Sequence, residues 1–360
     1  MRKRLMVLAS ICVVLIVTAS VLFVACAPAP APSPAPAPKP SPAAAPSPAP
    51  AAGLPKTIVL GTNPQGTLQY SLAVVIADVL GKHTPMKVEL SPGGGSGYFP
   101  LFATKEVDFA IQTVDEAWTG YVGEGQYKEP TKGKGYQMKT LLVGGPLMTV
   151  MMVKPDSGIR TMKELKGKKL PIMTMMYAST LVSRATLANA GLTLDDVVQV
   201  PVTSLAEQTD ALLSGRVDMN NAALGSADTQ RLLAAGCYGL PLDSSEEAVA
   251  RMRNLLLAYG VAKAPPALTG MKQEDYVATK SILLLARPGL AQNVVDAVLT
   301  ALWDFNQELG AAHPNFKAWV PQKYASTSTV IPFSLESINW FKAKGVWTAD
   351  MDKHQQQISK

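Results

Sequence analysis

Beyond residue 54 the sequence alternates short β-rich runs with longer stretches of helical periodicity, and that alternation admits few folds. It argues for parallel strands joined by crossover helices. Residues 57–60, 86–90 and 108–112 read as strands, with 68–80 and 98–104 as helices between them, which begins one α/β lobe. A second series starts with a strand at 149–154. Thr161-Met162-Lys163-Glu164 is a capping box opening a short helix, and a strand at 169–173 and a helix at 180–190 stopped by Gly191 follow. A strand at 199–202 precedes a second capping box, Ser204-Leu205-Ala206-Glu207, whose helix ends at Gly215 before a strand at 217–220. A late apolar strand at 281–286 and two amphipathic stretches, 291–309 and 334–344, close the chain as helices that return to the first lobe.

The chain of 360 residues is 48% hydrophobic and 17% charged, too apolar for a disordered chain and long enough for one large or two medium domains. Of its 33 Lys and Arg, Arg2, Lys3, Arg4 and Lys39 precede residue 54, where no acid lies; the rest holds 29 basic against 27 acidic residues. That balance excludes a nucleic-acid footprint. Cys12, Cys26 and Cys237 cannot make a disulfide framework, and Cys237, between Gly236 and Tyr238, reads as a buried small apolar residue. His83, His313 and His354 stand far apart with no ligand spacing around them, so neither a metal nor a cofactor is expected.

The first 25 residues read as an export signal: a basic start, an uncharged apolar run at 5–25, and small Ala25 before Cys26. Leu22-Phe23-Val24-Ala25-Cys26 resembles a bacterial lipobox, with Phe23 where Leu is preferred, and the resemblance makes Cys26 the acylated mature N-terminus. The alternative is an uncleaved transmembrane anchor, since the run is long enough to span a bilayer. Residues 26–53 then follow as a linker of Ala, Pro and Ser, semi-rigid and able to hold a domain up to roughly 80 Å from the lipid. The expected place is the extracytoplasmic face of the membrane or the periplasm.

In open α/β sheets, ligands lie beyond the carboxyl ends of the strands, so the loops that follow the strands carry the functional reading. The first, Gly61 to Tyr70, offers glycines for close approach, the hydroxyls of Thr62 and Thr67, and Tyr70 in the first helical turn. The second, Ser91-Pro92-Gly93-Gly94-Gly95-Ser96-Gly97, presents successive N–H groups and could cradle a carboxylate. The third ends its strand in Gln112. Any one of these clusters could be an ordinary turn with an N-cap. Three in succession favour a cleft.

Catalytic patterns are not met. Gly94-Gly95-Ser96-Gly97-Tyr98 fails a nucleophile elbow at Tyr98, the dinucleotide pattern fails at the same residue, and no phosphate loop exists. Asp195-Asp196 and Asp115-Glu116 read as solvated helix starts. No enzyme is expected.

The Gly-Thr loop with its Tyr, the Gly-Gly-Ser loop, the strand ending in Gln, Leu165-Lys166-Gly167-Lys168, Ala188-Asn189-Ala190-Gly191, the run from Asp210 to Asp218, His313-Pro314 and Ile331-Pro332 occur in an order that resembles the TAXI-type solute-binding subunits of tripartite ATP-independent periplasmic (TRAP) transporters. The resemblance implies an α/β, two-lobed periplasmic-binding-protein type II (Venus flytrap) fold with a hinge, with lobe 1 at 54–145, lobe 2 at 146–275 and a mainly lobe 1 return at 276–360. It implies capture of a small organic acid for a membrane permease driven by an ion gradient. Its ligand contacts fall on Thr62, Gly66, Thr67, Tyr70, Gly95, Ser96 and Gln112, and in the second lobe on Met176, Tyr177, Ala178 and Ser179, where the family has Gly-Ser-Gly-Thr. An Asn expected after Gly-Gly-Ser is replaced among Tyr98, Phe99 and Pro100, and the family's His-Pro-Gly-Ala by Ser334 to Ser337. These departures point to a ligand larger or more apolar than glutamate, with Met175, Met176 and Tyr177 as an adaptable wall, unless Met173, Met175 and Met176 are core residues. Arg184 and Lys105 could pair a carboxylate, but both sit on helices where a solvated face is the simpler reading. An ABC importer or a membrane sensor would be served by related lobes, and an enzyme on the same fold would need a reactive group in the cleft.

Overall fold

The computed structural model describes residues 53–65, 67–173 and 177–359. The export segment, Cys26, the linker before residue 53, Gly66, Met175 and Met176 lie outside them. The strands are β1 (Thr57–Thr62), β2 (Lys87–Pro92), β3 (Phe109–Thr113), β4 (Lys139–Val153), β5 (Lys169–Ile172), β6 (Val198–Pro201), β7 (Met219–Ala223), β8 (Tyr238–Gly239), β9 (Gly260–Ala264) and β10 (Asp275–Ala286). Between the first three run helices α1 (Leu68–His83) and α2 (Gly95–Thr104), and α3 (Val114–Val122) follows β3 directly.

One sheet runs β2-β1-β3-β10-β4-β7, with β8 added to β4 and β9 to β10, while β5 and β6 form a separate pair. The expectation of parallel strands holds for β1 with β2 and β3 and for β5 with β6. It fails for the rest: β10 is antiparallel to β3, β4 and β9, and β4 to β7 and β8. The reason is the return of β10, which enters the first strand group from the opposite direction.

Two long strands therefore join two lobes. The far end of β4, Thr149 to Val153, pairs with β7, while its start pairs with the end of β10 at Leu283 to Ala286. In turn β10 pairs with β9 through Asp275 to Thr279 and with β3 through Ile282 to Ala286. The strand expected from residue 149 is thus only the last third of a longer one. At Gly144-Gly145-Pro146 the strand carries a bulge: Ser281 pairs with Pro146 and Leu283 with Val143, so both glycines face Ile282.

The main core includes Ile58, Leu60, Leu72, Ile76, Phe109 and Leu284, and a second one gathers Val150, Met152, Met173, Leu212, Leu232, Cys237 and Val277. Alternation along β4 sends Val150 and Met152 to the second core and Met151 and Val153 to the first. Cys237 is buried as expected, and Met173 is a core residue. At the end of the chain the Gln292–Asp304 helix packs on α1, and the Leu335–Ala343 helix packs on it. The single helix expected over 291–309 is broken at Phe305 into Gln292–Asp304 and Asn306–Ala312. Phe305 leaves helical geometry and its ring stacks on His83, with centroids 3.3 Å apart. The helix expected from 98 starts at Gly95, and that expected from 180 starts at Tyr177, each drawing small or polar residues into its first turn. No described helix is long and apolar enough to cross a membrane.

Candidate functional site

The carboxyl ends of β1 and β3, the amino ends of α2 and α3, and the start of the Tyr177–Asn189 helix meet at one place. Thr62 ends β1 fully buried; its carbonyl accepts from the N–H groups of Gly93 and Gly94, at 2.9 and 3.1 Å, while its Oγ1 has no partner among the described residues. Thr67 is the N-cap of α1: its hydroxyl donates to the Pro64 carbonyl at 2.7 Å and accepts from Tyr70 N at 3.3 Å, a structural duty that occupies it. The half-buried Tyr70 accepts from Gln65 Nε2 at 3.1 Å.

Gln112 is an organiser. Its Nε2 donates to Asn63 Oδ1 and to Tyr98 Oη, both at 2.9 Å, and its Oε1 accepts from Thr113 N at 2.8 Å. The amide is fully used, and it fixes the first and second loops against each other. Tyr98, one of the three residues among which the family resemblance leads one to expect Asn, is buried under Gly61, where a Cβ would lie 2.7 Å from its Cγ. The aromatic replacement thus fills the lobe beneath the loop.

The helix start after Gly94 carries no side-chain cap, and Gly94 itself has φ of 70°, a left-handed value that favours glycine. Ser96 is exposed there. At Gly95 a Cβ would lie 2.7 Å from Phe99 Cε2, 3.0 Å from Glu116 Oε1 and closer still to Tyr127 Oη. Gly95→Ala is therefore expected to cost about 1–3 kcal/mol in denaturant unfolding. An unchanged midpoint would mean that Tyr127 and Glu116 move aside freely.

Asp115 and Glu116 are not the solvated helix start that the sequence suggests. Asp115 is fully buried, ion-paired with Lys280 on β10 and accepting from Tyr259 Oη at 3.0 Å. Both groups come from outside the local sequence, which is why the pair reads as surface in isolation. Burial, and secondarily the Asp115 charge, push the Tyr259 phenol well above its ordinary range. Glu116 is half-buried, and its Oε1 accepts from Tyr127 Oη and, at 3.0 Å, from Gln126 Nε2. Burial pushes the Glu116 carboxyl up to about 7; the Asp115 charge adds to the rise, and the Tyr127 hydrogen bond, Lys280 and Gln126 oppose it.

Gln126 also reaches the second lobe, accepting from Tyr177 N at 3.1 Å through Oε1. The Tyr177 ring lies over Gly125, where a Cβ would lie 2.5 Å from its Cγ, and its Oη accepts from Arg184 Nη1 at 3.2 Å. Ala178 is buried behind it and Ser179 is half-buried. Arg184 is half-buried and Lys105 is exposed at the end of α2. Sequence reading therefore misassigned Glu116 and passed over Gln126, Tyr127 and Lys280, of which only Lys280 carries a signal, as a lone charge inside an apolar strand. Two cavities lie elsewhere, about 610 Å³ beside Phe305 and Trp319 and about 640 Å³ between Arg184 and Arg251.

The arrangement presents a helix start without a side-chain cap beside a carboxyl pushed up to about 7, across a contact between two lobes. That is binding chemistry, and no nucleophile with an adjacent base is assembled among the residues described above. No curated protein matches the chain in sequence. Among solved structures, an R. palustris protein solved with adipate is 16% identical over 81% of this chain and 97% of its own, at a TM-score of 0.49. A structure described as a periplasmic transporter is 17% identical over 84% and 96%, at 0.49. A periplasmic sulfonate-binding protein from Methylobacillus flagellatus is 16% identical over 81% and 88%, at 0.46. The sequence profile of the NMT1-like family matches residues 60–345, most of the described chain, and the protein belongs to that family.

Proposed function

We propose that the protein is an extracytoplasmic solute-binding lipoprotein that captures a small organic anion between its lobes and delivers it to a TRAP-type permease. The observation that carries the reading is the Gln126 side chain, which joins Glu116 of one lobe to the amino end of the Tyr177–Asn189 helix in the other. A contact of this kind lets closure of the lobes report on what lies between them. Anion capture is supported by the uncapped amides at the start of α2 and the free Thr62 hydroxyl beside them. The permease class rests on the order of TAXI-like motifs, and membrane attachment on the lipobox-like sequence ending in Cys26. The lobe division at 54–145, 146–275 and 276–360, and the ligand contacts at Gly66 and Met176, belong to the same proposal. The runner-up partners are an ABC importer, which an adjacent gene for a nucleotide-binding subunit would favour, and a membrane sensor, which finding neither that gene nor a TRAP permease gene would favour.

A thermal-shift panel of glutamate, succinate, glutarate, phenylacetate, 3-methylbutanoate, putrescine and benzamide tests the solute class. A ligand at 100 times its Kd adds about 2.7 kcal/mol of stability. A saturable upward shift with a carboxylate, recovered unchanged, is the expected result. A shift with the diamine or the amide alone would overturn the anion reading.

A further inference from the structure

Glu116, at this edge, is neither ion-paired nor fully bonded among the described residues. Its Oε1 holds both Tyr127 and Gln126, and its Oε2 has no protein partner among the described residues. Beside it, α2 begins without a cap, and Thr62, tied to that helix start through Gly93 and Gly94, keeps a buried hydroxyl free. Lys280, whose charge acts on Glu116, is engaged by Asp115. A carboxylate entering here thus meets the uncapped helix start and an acid, with no free ammonium or guanidinium between them. An ionised Glu116 would repel it; a protonated one has a donor to give.

We propose that Glu116 reads the ligand's carboxylate by binding it in the protonated form, the Oε2 hydrogen donating to the anion, so that each anion bound where the free Glu116 is ionised takes up one proton from solvent. This rests on the organic-anion reading above and names how the site tells an anion from a neutral or cationic solute. Asp115 and Lys280 are paired with each other, and burial raises the Tyr98 and Tyr127 phenols far above neutrality. Arg184, on the helix packed against α3, is directed to Tyr177 Oη. Burial pushes the Glu116 carboxyl up to about 7, where its ionisation competes with the ligand.

The test is calorimetric titration of the full chain with glutamate, succinate, glutarate, phenylacetate and 3-methylbutanoate between about pH 6 and about pH 8.5. With the free carboxyl titrating at about 7, binding should weaken by about 30-fold across that range. Repeating the titration at the alkaline end in buffers of different ionisation enthalpy should show about one proton taken up per ligand. Glu116→Gln, which keeps a donor and cannot ionise, should bind with an affinity that changes by less than about 2-fold, with no proton uptake. A carboxylate that binds the wild type with flat pH dependence overturns this proposal and leaves the anion reading standing. Putrescine binding that tightens as pH rises, or no binding by any carboxylate, overturns both. Because the proton count is read on the unmodified protein, it decides the matter even where the variant fails to fold.

Discussion

Lys280→Met is expected to destabilise the protein by about 3–5 kcal/mol, far more than loss of any exposed ion pair here. The Lys280 side chain is 7% exposed and Asp115 not at all, so removing the ammonium leaves a carboxylate in a place where water cannot replace it. The Tyr259 hydroxyl and the amino end of α3 are then its only compensation. The companion result matters as much. A Lys280→Met, Asp115→Leu double variant should recover most of the loss, because the cost lies in the unpaired partner rather than in any large net worth of the pair. Denaturant midpoints of the two single variants and the double variant measure the coupling. A loss under about 1 kcal/mol in Lys280→Met would show that solvent reaches the pair. The consequence reaches the cleft, since Lys280 is among the groups that favour ionised Glu116 and its removal raises that carboxyl further.

Local patterns were legible wherever they answer to local chemistry. The box at Thr161 and Glu164 forms as written, with each side chain on the other's backbone. The second box forms by half: Ser204 caps Glu207 N, but the Glu207 carboxylate reaches back to Thr203, whose N–H and hydroxyl hold it well below the usual carboxylate range together with Arg216. Asp195-Asp196 does cap a short helix, Asp196 accepting from Thr193. The sheet was less legible because strand direction is a property of the whole chain. No residue between 275 and 286 announces that β10 will run antiparallel to β3, and only the route taken by β4 requires it.

The site divides in the same way. The loops after β1, β2 and β3 were found because Gly, Thr and Gln at strand ends have a physical use, and they do come together through Gln112. What escaped is everything that depends on a partner far along the chain. Asp115 looks solvated until Lys280 arrives 165 residues later, and Glu116 looks like a helix-start acid until Tyr127 and Gln126 fold over it. Tyr177 was read as part of an apolar wall. Its ring covers Gly125 and its backbone N–H donates to Gln126, so both parts of the residue meet the other lobe.

Trp319→Ala is expected to cost about 3–5 kcal/mol, and the loss should fall on the bulge that joins the lobes. Trp319 is 1% exposed and covers Gly144 and Gly145, where a Cβ would lie 2.5 Å and 2.6 Å from its Cε2 and Cδ1. Phe316 meets the ring edge-on at 4.8 Å and Tyr324 at 6.5 Å, while Asn306 Nδ2 donates to its carbonyl at 2.7 Å. The indole N–H has no partner among the described residues, so Trp319→Phe should retain much of the stability that Ala loses. The bulge and the ring are complementary shapes, which a double-mutant cycle can expose. Gly144→Ala alone forces the ring away and should cost about 1–3 kcal/mol, but the same change in the Trp319→Ala background should cost little, because the space it needs is already open. Additive losses in chemical denaturation would mean that the glycines serve the backbone geometry of the bulge and not the ring. Strong coupling would make Trp319 the group that holds the crossing strand in one shape, and hence a determinant of how the two lobes move relative to each other.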